Sequence, residues 1–416
     1  MKNLRMQQEM TDRGRLEIRV NARIQARPVS GARVTVSYTG DPQNVIEELI
    51  TDGDGRTETL DLATPPLEYS LEPNVNQPYS EYTVKVEAEG YEPVEVTGSE
   101  LLSGEQSVQQ VDLEPAEGAA FADVTIPDHT LFGEYPAKIP ESEIKPTGES
   151  GEIVLSRVVI PEYVVVHDGA PTDSTARDYY VRYRDYIKNV ACSEIYATWP
   201  DAAIRANILA IMSFTLNRVY TEWYRNKGYD FTITSSTAYD HKWIYGRNIF
   251  DSISLVVDEI FADYLSRPNV KQPILTQYCD GNRVSCPNWM SQWGSKNLAD
   301  QGYSTIQILR NYYGDNMYIN TAEEISGIPS SWPGYDLTIG SGNKVLQMQE
   351  QLNVIAEVYS SIPTVYENGY FDEETQDAVE AFQRLFGLPV SGIVDYPTWY
   401  KIQSIYVAVT RIAELQ

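Results

Sequence analysis

Between residues 15 and 40 apolar and polar side chains alternate, as Leu16, Ile18 and Val20 and then Val34, Val36 and Tyr38; the alternation returns at Tyr82, Val84 and Val86. A period of two turns one face of an extended chain toward a core, so these stretches predict half-buried strands. Pro28-Val29-Ser30-Gly31 and Asp52-Gly53-Asp54-Gly55 supply turns between them. The expectation is a small antiparallel β-sandwich ending near residue 115. Residues 116–157 then carry Pro127, Pro136, Pro140 and Pro146 among acids and glycines, with no apolar period long enough for a core. Such a stretch predicts a linker or an exposed arm. Its polar run from Pro140 to Glu152 is the kind of segment a protease can reach.

From Val158 the chain becomes Tyr-rich with helical spacing. After Trp199-Pro200, the residues Ile204, Ile208, Ile211, Thr215 and Val219 recur at intervals of three and four, and Gly228 follows as a candidate C-cap. Pro200 suits a first helical turn, where its missing N–H costs nothing. Further helices are expected over 253–265 and 302–312. A Ser/Gly/Pro-rich connector at 326–343 leads to a compact tail, in which Leu346, Leu352, Ala378, Val379, Phe382 and Trp399 would be buried by two or three short helices.

Charge narrows the partners. Lys and Arg number 32 against 59 Asp and Glu, a net −27, and residues 41–150 alone carry 4 − 25 = −21. Such a field repels nucleic acid phosphates and anionic lipid surfaces, so neither nucleic acid nor membrane is an expected partner. The N-terminus lacks the apolar core of a conventional signal peptide, and no stretch approaches the length of a membrane span. With three cysteines, free thiols are favoured, although Cys279 and Cys286 are near enough in sequence for one local bridge. Ordinary metal-ligand spacing is absent around His241, Cys279 and Cys286, so no metal and no cofactor is expected. His129 and His167 are isolated and read as structural.

Three segments carry resemblances. Pro28-Val29-Ser30-Gly31-Ala32-Arg33-Val34, Asp54-Gly55-Arg56 and Gly90-Tyr91-Glu92-Pro93 resemble transthyretin-like modules. Gln349 with Leu352, Gly369-Tyr370-Phe371-Asp372, Ala378-Val379, Phe382-Gln383, Gly387-Leu388-Pro389, Gly392-Ile393-Val394 and Thr398-Trp399 are similar to the three-helix peptidoglycan-binding type 1 domain. Ile187-Lys188-Asn189-Val190-Ala191-Cys192-Ser193-Glu194-Ile195-Tyr196, then Trp199-Pro200, and Met290-Ser291-Gln292-Trp293-Gly294 resemble the SpoIID/LytB family over roughly residues 158–320. The fold class expected is therefore multidomain α+β. It comprises a β-sandwich (1–115), a linker (116–157), a SpoIID-like catalytic domain (158–325) and a peptidoglycan-binding domain (342–416).

The SpoIID resemblance implies a lytic transglycosylase with Glu194 as its catalytic acid, and Tyr245, Ser291, Gln292 and Trp293 as substrate-binding residues. One carboxylic acid suffices for that chemistry, because the C6 hydroxyl of muramic acid can close on its own anomeric carbon. The order of parts resembles the SleC family of spore cortex-lytic enzymes. That implies a zymogen stored in the bacterial spore, whose pro-region up to about residue 150 is removed near 145–157 by a subtilisin-like Csp germination protease. The partner implied is the peptidoglycan of the spore cortex. Residues 1–150 and 151–416 carry −16 and −11, so any inhibition by the pro-region would be steric rather than electrostatic. A non-catalytic wall-binding or coat-assembly protein is one alternative. Another is a muramidase that uses water, with Asp201, Asp240 or Asp280 as second carboxylate. The enzymatic readings all require the Glu194 carboxyl to reach solvent in a cavity, and a carboxyl hidden from solvent counts against them.

Overall fold

The computed structural model describes residues 11–23, 27–73, 75–116, 122–145, 154–342 and 344–410. The N-terminal part is a β-sandwich whose strands follow the alternation in the sequence. One sheet contains β1 (Asp12–Ala22), β2 (Arg27–Pro28), β5 (Leu60–Thr64) and β8 (Gln106–Leu113); the other runs β4 (Asp41–Ile50), β3 (Arg33–Tyr38), β6 (Ser80–Glu87), β7 (Val94–Leu101) and β9 (Ala122–Thr125). Leu16, Ile18, Val20, Val34, Val36, Val84 and Val86 close its core. The sandwich is not wholly antiparallel, because β8 lies parallel to β1 and β9 parallel to β7. It also extends past residue 115, since β9 belongs to its second sheet.

The next segment corrects the linker expectation. Residues 127–145 form a strap without regular structure, packed across the central part, with His129, Thr130, Leu131, Tyr135, Lys138 and Lys145 all buried. The expected activation site near 145–157 falls largely on residues 146–153, outside the described residues.

The central part is built around a long helix. Its strands β10 (Val159–Ile160), β11 (Tyr163–His167) and β12 (Asp178–Arg182) lead into helix α1 (Tyr183–Glu194), and α2 (Asp201–Tyr220) follows. Helix α2 is apolar nearly all round and is enclosed on nearly every side, as expected for a helix at the centre of a domain. It stops at Tyr220, short of Gly228, because Glu222 takes a left-handed conformation (φ 45°). Gly228, at φ 83°, instead closes a short 3-10 turn over Arg225–Lys227. Around α2 lie β13 (Ile233–Thr234), β14 (Ile249–Phe250), α3 (Asp251–Ile260), β15 (Asp263–Ser266), β16 (Tyr278–Cys279), β17 (Met290–Ser291), α4 (Gln292–Asp300) and α5 (Thr305–Tyr313). The helix expected over 253–265 is thus split, its second half becoming β15, which pairs with β18 (Tyr318–Thr321).

The sandwich and the central part are fused. Strand β14 adds to the edge of the first sheet by pairing antiparallel with β8. Beside it the Asn248 side chain exchanges hydrogen bonds with both backbone groups of Glu100, at 3.0 and 2.7 Å, and Arg247 meets the buried Glu100 carboxylate at 2.6 Å. Trp199 Nε1 donates to the Ser70 carbonyl at 3.0 Å, tying a sandwich loop to the start of α2.

Three helices, α6 (Val345–Ala356), α7 (Glu373–Leu385) and α8 (Tyr396–Thr410), make the C-terminal part. Its signature residues have a structural reason. Buried Gln349 accepts from the N–H groups of Asn368 and Gly369, and buried Gln383 does the same for Ser391 and Gly392. Gly369 and Gly392 stand at φ 72° and 67°, a conformation that favours glycine. Each glutamine thereby pins one turn onto the bundle. Among the described residues no helix is long and apolar enough to cross a membrane.

Candidate active site

Glu194 is the last residue of α1, and Ile195 leaves the helix in an extended conformation to begin the turn toward α2. That exit directs the Glu194 side chain into the interior. One carboxylate oxygen, Oε1, accepts from the Lys242 N–H at 2.7 Å, and the other accepts from the Tyr278 hydroxyl on β16. Burial pushes the Glu194 carboxyl above the usual carboxylate range, opposed by Lys138, Tyr278 and the Lys242 N–H. The carboxyl is fully buried, so it meets no open groove in this state.

What covers it comes partly from the strap. Lys138 is buried with its ammonium 4.8 Å from the centre of the Tyr278 ring, and donates to the carbonyls of Thr237 (3.1 Å) and Asp240. Tyr135 donates to Gln292 Oε1 at 3.2 Å. Thr130 donates to the Ser193 carbonyl, immediately before Glu194. Three latches hold this strap down, one of them the fork of Arg267 on Glu143 at 2.6 and 2.7 Å. Glu141 receives both terminal nitrogens of the buried Arg218, at 2.6 and 3.0 Å, while Arg218 also holds Asp240 at 2.7 Å. On the other side, Arg283 donates to the carbonyls of Thr130 (2.6 Å), Phe132 (3.3 Å) and Gly133.

Arg283 is itself carried on a loop closed by a Cys279–Cys286 disulfide, which overturns the preference for free thiols; only Cys192 is free among the described cysteines. The pairing follows from the tight turn between the two residues, in which Asp280 accepts from the backbone of Asn282, Arg283 and Val284.

The other expected site residues diverge. Gln292 is buried and donates to the Glu194 carbonyl at 3.1 Å, so it holds the end of α1. Trp293 is buried against Trp199, ring centres 4.9 Å apart, and against Tyr196 at 6.1 Å. Ser291 caps α4, accepting from Gly294 N at 2.8 Å. Gln292 and Trp293 are buried and Ser291 is half-buried, as the Met290–Gly294 segment packs inward against the Trp199 turn. Tyr245, 36% exposed, does face outward and stacks on Tyr179 at 5.0 Å, with Trp243 beside it.

Each carboxylate weighed as a water-activating partner is already engaged. Asp201 pairs with Arg205, Asp240 with Arg218, Tyr224 and Thr234, and Asp280 with Arg283. His241 lies parallel to the Tyr278 ring and meets the Tyr186 hydroxyl at 3.0 Å; burial lowers its basicity, so it stays neutral. Among the described residues no group of three or more His, Cys, Asp and Glu is placed to hold a metal ion. Tyr278, Tyr135 and Lys138 were not legible as site residues. The available signal was the apolar run Leu131, Phe132, Tyr135 and Ile139 inside a segment otherwise read as solvated.

Comparison with known proteins adds one assignment. No curated protein matches the chain. Among solved structures, the chain is similar to the Bacillus anthracis TIE protein at 19% identity over 25% of this chain, with a TM-score of 0.18. It is also similar to GBS52, a minor pilin of Streptococcus agalactiae, at 12% identity over 26% of this chain, with a TM-score of 0.19. The chain spans 17% of the first and 47% of the second, too little overlap to carry any argument. A family model described as "Putative peptidoglycan binding domain" matches residues 341–402, the three-helix region pinned by Gln349 and Gln383. The chain therefore ends in a peptidoglycan-binding domain of type 1, which associates it with the cell wall.

Proposed function

We propose that the protein is the zymogen of a spore cortex-lytic enzyme, a lytic transglycosylase that cleaves the bond between muramic acid and N-acetylglucosamine, with Glu194 as acid and then base. The observation that carries this reading is the Glu194 carboxyl, held between the Lys242 N–H and the Tyr278 hydroxyl, where burial favours its protonated form more strongly than these donors oppose it. A general acid needs that environment. The proton would pass from Glu194 to the glycosidic oxygen as the bond to the anomeric carbon breaks. The muramic C6 hydroxyl would close on that carbon and return its proton to Glu194, leaving a 1,6-anhydro end. No water is consumed.

The strap accounts for storage in an inactive state. Tyr135 and Lys138 would cover the approach to Glu194, and the Lys138 ammonium opposes the protonated form that the first step needs. Cutting the chain near 145–157 by a subtilisin-like germination protease would free the C-terminal end of the strap. The sandwich would leave with it only once the Glu100–Arg247 junction opens. The peptidoglycan-binding domain would keep the enzyme on cortex glycan. Tyr245 and Tyr179 supply an aromatic face of the kind on which sugars stack.

A second reading is favoured by the full burial of Glu194: a protein that only attaches to the wall. One experiment separates the two. A protease site placed within 146–153 is cut, and the product is incubated with spore cortex, alongside the same protein carrying Glu194→Gln. The enzymatic reading expects anhydromuramic products from the first and none from the second, with glycan binding equal in both. Reducing-end products would support hydrolysis by water. Absence of any product from the cut and strap-free protein would leave attachment as the function.

A further inference from the structure

Beyond Lys138 the strap lies along the central part as an added strand would, its backbone held at every second residue. The Ile139 N–H donates to the Ala238 carbonyl at 2.8 Å. The Gln277 amide donates to the Ile139 carbonyl at 2.8 Å and accepts from the Glu141 N–H at 2.9 Å. The Leu275 N–H donates to the Glu143 carbonyl at 2.9 Å. The Gln272 amide then accepts from the Lys145 N–H at 2.7 Å and donates to the Lys145 carbonyl at 3.2 Å. Contacts at 139, 141, 143 and 145 follow the period of an extended peptide recognised through its main chain.

Two side chains on this strand are read as carboxylates. Glu141 sits in the fork of Arg218, Nη2 at 2.6 Å and Nη1 at 3.0 Å, and Glu143 in that of Arg267, Nε at 2.6 Å and Nη2 at 2.7 Å. Ser142 between them is exposed. The channel that receives the strand is built for it. Gln272, Gln277 and Arg218 are buried, and Asn217 fixes the Gln272 amide at 3.1 Å. Without the strap, both glutamine amides, the Leu275 N–H, the Ala238 carbonyl and both forks lose these partners at once. Arg218 then keeps Asp240 through Nε, and Arg267 keeps Asn316 through Nη1, while the nitrogens that held carboxylates face the vacated channel. Buried polar groups left unpaired are costly, so the channel calls for an occupant with the same features.

We propose that the vacated channel binds an extended peptide bearing carboxylates. In the reading of the protein as a muramic acid-cleaving enzyme, on which this assignment rests, that peptide is the stem carried by the muramic residue at Glu194. The channel begins at Ile139, one residue from Lys138, whose ammonium lies over the ring of Tyr278, the donor to Glu194. A muramic residue seated at Glu194 would therefore send its peptide along the track that the strap now fills. Glu141 and Glu143 stand in for stem carboxylates, and the C-terminal domain brings the polymer that carries them.

The test uses the full chain cut within 146–153 and carrying Glu141→Gln and Glu143→Gln, which frees both forks. The probe is an N-acetylmuramyl peptide with free carboxylates, a monomer with no glycosidic bond to cleave, titrated calorimetrically beside its fully amidated form. Saturable binding is expected, at least tenfold weaker for the amidated probe. A further Arg267→Gln should weaken the free-carboxylate probe at least tenfold and abolish the preference, which excludes the C-terminal domain as its source. Arg267 is partly exposed, so this variant carries the test should Arg218→Gln fail to fold. No saturable binding, equal binding of both probes, or a preference undiminished by Arg267→Gln overturns the proposal. Because the probe is not turned over, the result is separate from the product assay: anhydromuramic products without the preference would keep the enzyme and remove the peptide channel, and the preference without products would do the reverse.

Discussion

Changing Glu141 to Gln removes the charge from one latch of the strap while keeping its shape. The carboxylate receives two hydrogen bonds from Arg218, at 2.6 and 3.0 Å, and a further contact from Lys145. Arg218 is buried and keeps Asp240, so it is left with half its compensation rather than none. Charge-assisted hydrogen bonds net about 1.5–3 kcal/mol each, and the amide oxygen retains part of one, so the loss is about 2–4 kcal/mol. At about 1.4 kcal/mol per factor of ten, the strap should open roughly 30- to 700-fold more often. Native-state hydrogen exchange reads this directly. The N–H groups of Ile139, Glu141 and Lys145, bonded to the Ala238 carbonyl and to the Gln277 and Gln272 side chains, should lose that much protection. Amides paired between β3 and β6 serve as the internal reference. Should the strap amides exchange at the wild-type rate, or should those of the sandwich accelerate equally, the strap is no separately opening unit and the covering of Glu194 is part of the fold.

Reducing the Cys279–Cys286 disulfide should release the Arg283 latch, because it frees a loop whose closure is worth about 2–3 kcal/mol. Exchange around Thr130, Phe132 and Gly133, whose carbonyls Arg283 holds, should then accelerate in dithiothreitol, and unchanged exchange would detach the loop from the strap. The junction between sandwich and central part should respond to pH. Burial pushes the Glu100 carboxyl up to about 7 despite its contact with Arg247. A carboxylate raised on folding binds protons more tightly in the folded state, so its contribution is most favourable at low pH and is lost as pH rises toward 7. Relative to an ordinary carboxylate the span is up to roughly 3 kcal/mol. Thermal unfolding should therefore show a fall in Tm from pH 5 to pH 8 that is absent in Glu100→Gln; the same slope in both would assign it elsewhere.

Local pattern determined the parts of this protein that depend on near neighbours. Alternation at Leu16, Ile18 and Val20 marked a strand because side chains two apart share a face. Gln349, Gln383, Gly369 and Gly392 marked the C-terminal domain because each turn is closed within about twenty residues by a glutamine and a left-handed glycine. The Ser193-Glu194-Ile195 motif marked a candidate acid at a helix end. Tertiary structure alone decided what faced what. Composition describes the strap as prolines and acids, yet Lys138 becomes buried because the carbonyls of Thr237 and Asp240, a hundred residues away, replace its water. Likewise β14 reads as two ordinary apolar residues, and only the free edge of β8 makes it a strand. Periodicity records the face that a segment buries. The partner against which it is buried is set by the long-range meeting of surfaces, and on that meeting depends whether Glu194 is open or closed.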